Sequence, residues 1–229
     1  MSRRTIPCIA LLAAATAAGC AGQTSYLKST DFQERAESLK KVGVMVAEAR
    51  ILHVQAGSES TPSSEASEVS AALSEAAVKQ MLAERGYAVV TVARDDESRA
   101  LLADYLRVRK DALAASSPGS ETIRGVPPLA GAAAVAARNG VDGIVFVGAW
   151  GDDAPAGRRI VFGDMAVFRI FFGKGTACAD LSAIDRTGTL IYYGRESGES
   201  CALTEHDGVH RIFGDLVAGF PPAGDKRGE

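Results

Sequence analysis

The order of periodic segments along the chain predicts an α/β fold, with a mixed β-sheet packed by helices. Three observations carry that expectation. Buried-looking strand runs alternate with helix-length segments through the first two thirds of the chain, the pattern that builds parallel pairings. The run VGVMVAEARILHV and the later run VDGIVFVGAW are rich in β-branched and apolar residues, as strands covered on both faces are. Near the C-terminus two further strand runs flank Asp185-Arg186-Thr187-Gly188, a turn sequence with glycine where positive φ is needed, so an antiparallel hairpin closes the sheet on that side.

The elements follow in chain order. Residues 20–41 read as a polar, mixed-charge tether holding one short helix near residues 31–39. The first strand takes residues 42–54, and a small polar loop of Ser, Gly, Glu and Pro follows to residue 64. A helix over residues 65–85 starts with Glu65 and Glu68, acids favoured by the helix dipole, and stops at Gly86. Its expected core stripe is Val69, Leu73, Ala76 and Met81. Residues 87–92, YAVVTV, form a short strand. Asp95 or Asp96 then caps a helix to residue 115, with Leu102, Leu106 and Leu113 along one face.

After the loop SSPGSETIRG, a helix is expected to begin at Pro127-Pro128, since proline suits a first helical turn. Its alanine-rich body lets it approach a sheet closely, and Asn139-Gly140 ends it. The strand over residues 141–150 comes next. Residues 159–172 read as one strand or two, interrupted at Gly163-Asp164. Hairpin strands over 177–184 and 190–195, a last helix over 207–218, and a charged tail over 221–229 complete one domain spanning residues 42–220.

The first nineteen residues have the order of an export signal. Arg3 and Arg4 are followed by an apolar run of about thirteen residues, too short for the roughly twenty that span a bilayer as a helix. Ala17-Ala18-Gly19 then leads into Cys20, and this arrangement resembles a bacterial lipobox. The resemblance implies cleavage before Cys20 and lipid on its sulfur, with each buried methylene contributing about 0.8 kcal/mol to anchoring. Ala21 after the cysteine is the lipoprotein pattern of the outer membrane, facing the periplasm. Losing residues 1–19 removes two arginines and no acids, so the formal charge moves from −3 to −5. A mildly acidic domain lacks the basic footprint of a nucleic-acid binder. The most basic stretch, residues 107–110, is answered by Asp104 and Asp111 and reads as a solvated helix face. Of four cysteines, Cys8 leaves with the signal and Cys20 takes lipid. Cys178 and Cys201 remain, expected as one disulfide in an oxidising compartment, worth about 3 kcal/mol by chain entropy.

No constellation of catalytic type stands out, and no cofactor or metal is expected. His206 and His210 stand at i, i+4, a metal-compatible spacing, without HExxH; exposed histidines explain them better. Asp152 and Asp153 end a buried strand where α/β ligand sites often lie, but read as a loop start. Residues 172–176, FGKGT, lack the phosphate-loop pattern. Trp150, the single tryptophan, is either structural or a partner anchor.

Three passages together resemble the envelope lipoproteins sharing the fold of the TolB N-terminal domain, CsgG and LpoB. They are LAERGYAVV at 82–90, NGVDGIVFVG at 139–148, and ADLSAIDRTGTLIY at 179–192. The resemblance implies an anticodon-binding-domain-like sheet and an interaction role: a lipid-anchored, non-enzymatic accessory to envelope assembly, secretion or regulation. Its partners would be the membrane, through the lipid, an envelope protein, and further copies of the chain. The alternatives are a CsgG-like oligomeric secretion channel and, less favoured, an envelope hydrolase.

Overall fold

The structure is a computed structural model and describes residues 23–53, 61–115, 121–153, 159–161, 169–171, 176–199 and 202–223. The expected α/β architecture is present. A seven-stranded mixed sheet lies between two helical layers.

The first strand, β1 (Gln23–Lys28), falls where a tether was expected. It pairs antiparallel with the last strand, so the domain begins three residues after Cys20. Its alternation is weak, with Tyr26 the only aromatic, and an edge strand needs only one packed face. Helix α1 (Phe32–Ser38) matches the short helix expected there and buries Phe32 and Ala36. Strand β2 (Lys41–His53) forms the sheet's centre, pairing parallel with β5 (Gly143–Asp153) along its length. The short strands β3 (Thr61–Ser63) and β4 (Ala88–Thr91) share the other side of β2. Strands β8 (Thr176–Asp185) and β9 (Leu190–Glu199) form the expected hairpin, giving the order β1-β9-β8-β5-β2-β3 with β4 also on β2. Between β5 and β8, β6 (Arg159–Val161) and β7 (Arg169–Phe171) pair antiparallel as a separate ribbon. They correspond to the two-strand alternative of the one strand or two expected there, and the Gly163-Asp164 break lies outside the described residues.

Helices α1, α2 (Ser64–Glu84) and α5 (His206–Ala218) cover one face, over Val44, Ile51, Val145, Val147, Leu181 and Tyr192. Helices α3 (Asp96–Ala115) and α4 (Ala132–Asn139) cover the other, over Met45, Ile144, Phe146 and Ile184. Both long helices turn about one residue from the expected stripe. Helix α2 buries Ser70, Ser74, Ala77, Val78 and Leu82, while Val69 is 43% exposed. Small side chains win that face because α2 packs closely against β2 and α5. Helix α3 buries Leu101, Tyr105 and Val108, with Leu102 and Leu106 only half-buried. Helix α4 starts at Ala132, not at Pro127-Pro128, and its N-cap Gly131 has φ +79°. Leu129 is buried and its amide is held by the Gly188 carbonyl at 2.9 Å, which fixes the preceding segment against the β8–β9 turn.

One irregularity sets the faces of β2. The pairing with β5 shifts between Val46 and Glu48, leaving Ala47 as an extra residue. Val44 and Ile51 are seven apart and would otherwise point to opposite faces; the extra residue puts both in the same core. It also puts Glu48 on the α3 side.

Candidate functional site

The sheet face under α3 changes character along its length. In the register of the central strands, Met45, Phe146, Ser182 and Tyr193 form one cross-strand row. The next row is Glu48, Gly148, Asp180 and Arg195, and the one after is Arg50, Trp150, Cys178 and Ser197. The first row is sealed by α3: the Tyr105 ring stacks on Phe146 at 3.9 Å, and the Tyr105 and Ser182 hydroxyls share a hydrogen bond of 2.7 Å. The second row is charged and the third lies open.

Asp180 is fully buried. The Arg109 Nη1 group of α3 donates to its Oδ2 at 3.0 Å, and Nη2 donates to Glu48 Oε2 at 2.7 Å, so one guanidinium bridges β8 and β2. Tyr193 Oη donates to Asp180 Oδ2 at 3.5 Å. Asp180 Oδ1 has no hydrogen-bond partner among the described residues. It lies over the Cα of Gly148, where an added Cβ would stand 2.1 Å from it and 3.1 Å from the Trp150 ring edge. Glycine at 148 therefore makes room for the carboxylate. Burial raises the Asp180 pKa to about 6; Arg109 opposes that rise and Glu48 adds to it. Burial also works against the Arg109 charge, but Asp180 and Glu48 outweigh it and hold the guanidinium protonated.

Trp150 sits between two cations, with Arg109 at 5.7 Å and Arg195 at 5.5 Å from its ring centroid. It forms one wall of a groove of about 450 Å³ that also meets Arg50, Leu52, Asp152 and Cys178. The groove combines a half-buried indole with guanidiniums and carboxylates that are already oriented. Such a set offers a ligand stacking, ionic and hydrogen-bonding contacts.

The sequence-derived candidates distribute unevenly around this site. Trp150 is at its centre. Asp152 lies on its rim, and Asp152 with Asp153 belongs to β5, paired to Leu52 and His53, instead of starting a loop. Cys178 is half-buried directly across from Trp150, and its thiol is free. Cys201 and Cys20 lie outside the described residues, as does the phosphate-loop-like segment up to Gly175. His206 and His210 stack face to face at 4.1 Å near the start of α5, which packs on the sheet face opposite the groove. The basic stretch at 107–110 is split: Arg107 pairs with Asp104 at 2.8 Å on the surface, but Arg109 turns inward to the buried carboxylate. Asp180 and Glu48 were absent from the sequence-derived candidates. For Asp180 the available signal was an acid at an α3-facing position of β8, whose other such residues are uncharged.

No protein-family model matches the chain, and no curated protein matches it. Among solved structures, the chain is similar to the PelC dodecamer from Paraburkholderia phytofirmans, with a TM-score of 0.44 and 12% identity over 89% of this chain and 99% of that one. It is also similar to a variant PelC dodecamer from the same organism, with a TM-score of 0.40 and 10% identity over 89% of this chain and 98% of that one.

Proposed function

We propose that this chain is a lipid-anchored accessory protein of the cell envelope, held at the outer membrane by Cys20 and working without catalysis by binding a protein partner. The observation that carries the reading joins the anchor to the groove. Strand β1 starts at Gln23, three residues past Cys20, and three residues reach at most about 10 Å. Gln23 pairs with Ser197, Ser197 with Cys178, and Cys178 with Trp150, a single cross-strand row. Neighbouring strands are about 4.8 Å apart, so Trp150 lies about 14 Å across the sheet from the anchored edge. The lipid thus brings the Trp150 groove to the membrane-facing end of the domain. A partner docking there meets an aromatic ring and fixed charges, the usual composition of an interface anchor.

A Cys20→Ala chain is expected to leave the membrane fraction and appear in the soluble periplasm. Its retention in membranes would refute the lipid anchor. The oligomeric channel is a second reading, favoured by the β6–β7 ribbon, which the chain inserts between β5 and β8 at this same end of the sheet. A monomer by sedimentation in detergent would remove it.

A further inference from the structure

The edge of the sheet opposite the anchored strand contains a gap. Strand β4 pairs with β2 up to Val44, where the Val92 amide donates to the Val44 carbonyl at 3.1 Å. Strand β3 pairs with β2 only from Ile51, whose amide donates to Ser67 Oγ at 2.9 Å. Between them, among the described residues, no strand pairs with residues 45–50 on that side. At about 3.3 Å per residue the gap is about 20 Å long.

The gap is a groove rather than a filled seam. A cavity of about 350 Å³ lies against five successive residues, 45–49. Side chains of a strand alternate between faces, so five in succession can line one cavity only along their main-chain edge. One wall is α2, at Glu68 and Ala71; the other is the start of α3, at Arg94, Arg99 and Leu102. Arg94 and Glu68 make no ion pair among the described residues, so each wall presents an unmatched charge of opposite sign.

We propose that this window takes an extended peptide segment of a partner protein, which adds as a short strand to β2. An incoming strand sends alternate side chains to the two walls. Those facing α3 meet Arg94, together with Arg99, which Asp96 already pairs, and Glu48, which Arg109 neutralises; the unmatched Arg94 charge favours acidic side chains there. Those facing α2 meet Glu68 over the small Ala71 and would be polar or basic. The bulge at Ala47 turns and twists this edge, so the window selects a short segment over a long flat strand. The window meets the Trp150 groove only at Glu48, which lines both, and the inference stands whether or not Cys20 carries lipid.

The test uses the mature chain in detergent and three synthetic octapeptides: alternating Thr-Asp, alternating Thr-Lys, and Thr-Asp with alternate backbone nitrogens methylated. Hydrogen exchange at residues 45–50 and binding isotherms are read for each. The Thr-Asp peptide is expected to slow exchange in the window and to bind at least tenfold tighter than the Thr-Lys peptide. The methylated peptide keeps every charge but cannot complete the ladder, so it should lose that protection. Arg94→Glu should reverse the preference between the two charged peptides. Equal binding by the methylated peptide, or no protection at millimolar peptide, would overturn the proposal. So would self-association that Ala47→Pro abolishes, which would assign the window to a second copy of the chain. Loss of the Cys20 anchor leaves every one of these readings unchanged, so failure here is separable from failure of the envelope assignment.

Discussion

The Arg109 guanidinium ties α3 to two strands at the open end of the sheet. It is held from two sides, by a fully buried carboxylate and by a half-exposed one, and its own side chain is 15% exposed. Removing it leaves Asp180 without a hydrogen-bonded cation among the described residues, Arg195 on the neighbouring strand acting on it only through space. Breaking one side of a buried pair costs about 3 to 5 kcal/mol. Arg109→Ala is therefore expected to destabilise the domain by about that much in urea unfolding, whereas Glu48→Gln, at the exposed side of the bridge, should cost under about 1 kcal/mol. A loss below 1 kcal/mol for Arg109→Ala would contradict the buried bridge. Asp180 adds a pH dependence whose sign follows from its raised pKa of about 6. Between the ordinary aspartate range and pH 6 the folded protein binds this proton more readily than the unfolded chain does. Stability from this group is therefore present at low pH and is lost as pH rises through 6. Relative to Asp180→Asn, the unaltered protein should lose stability between pH 4.5 and 7. The opposite slope would mean that Arg109 dominates burial.

At the scale of elements, the β8–β9 hairpin shows why part of the fold is legible in the sequence. Its turn is written in local chemistry: Asp185 Oδ1 accepts from the Thr187 amide, the Thr187 hydroxyl and the Thr189 amide, and Gly188 has φ +84°. The same glycine lets the segment before α4 close in, since an added Cβ would lie 2.4 Å from the Leu129 carbonyl oxygen. Gly188→Ala combines a left-handed backbone with that clash and should cost about 1 to 3 kcal/mol or more by thermal unfolding. A variant as stable as the original would show that the turn and α4 are not packed together. Elements whose signal lies in tertiary contacts were not legible. Strand β1 is held by pairing with β9 across more than 160 residues and looks like a polar tether on its own. The first half of the buried stripe of α2 is Ser70, Ser74 and Ala77, ahead of Val78 and Leu82, and hydrophobic periodicity does not reveal it, because close packing against α5 and β2 selects small side chains there. The inward turn of Arg109 is hidden likewise: its neighbours Arg107 and Asp104 do form the surface pair expected of that helix.

For the whole molecule, the three-layer sandwich has two distinguishable ends and two distinguishable edges. The β8–β9 turn, α4 and the Phe146–Tyr105 stack make one end apolar and closed. The other end carries the charged row, the Trp150 groove and the strand ends from which the β6–β7 ribbon departs. One edge is β1, three residues past the proposed anchor at Cys20, and the opposite edge is the interrupted side of β2. Trp150 was readable as a candidate because a lone tryptophan at the end of a buried strand stands out in one dimension. The groove around Trp150 was not, because Glu48, Arg109 and Asp180 come from three elements and meet only once the sheet register is set. The proposed envelope role requires the anchor and the groove to share one end of the sheet. Since Trp150 is the chain's single tryptophan, energy transfer from it to dansyl-labelled lipid headgroups tests that directly in vesicles carrying the lipidated protein. Efficient transfer, lost when Cys20→Ala frees the domain, is the predicted result. An anchored protein whose Trp150 transfers no energy to the headgroups would place the groove at the far end and contradict the account.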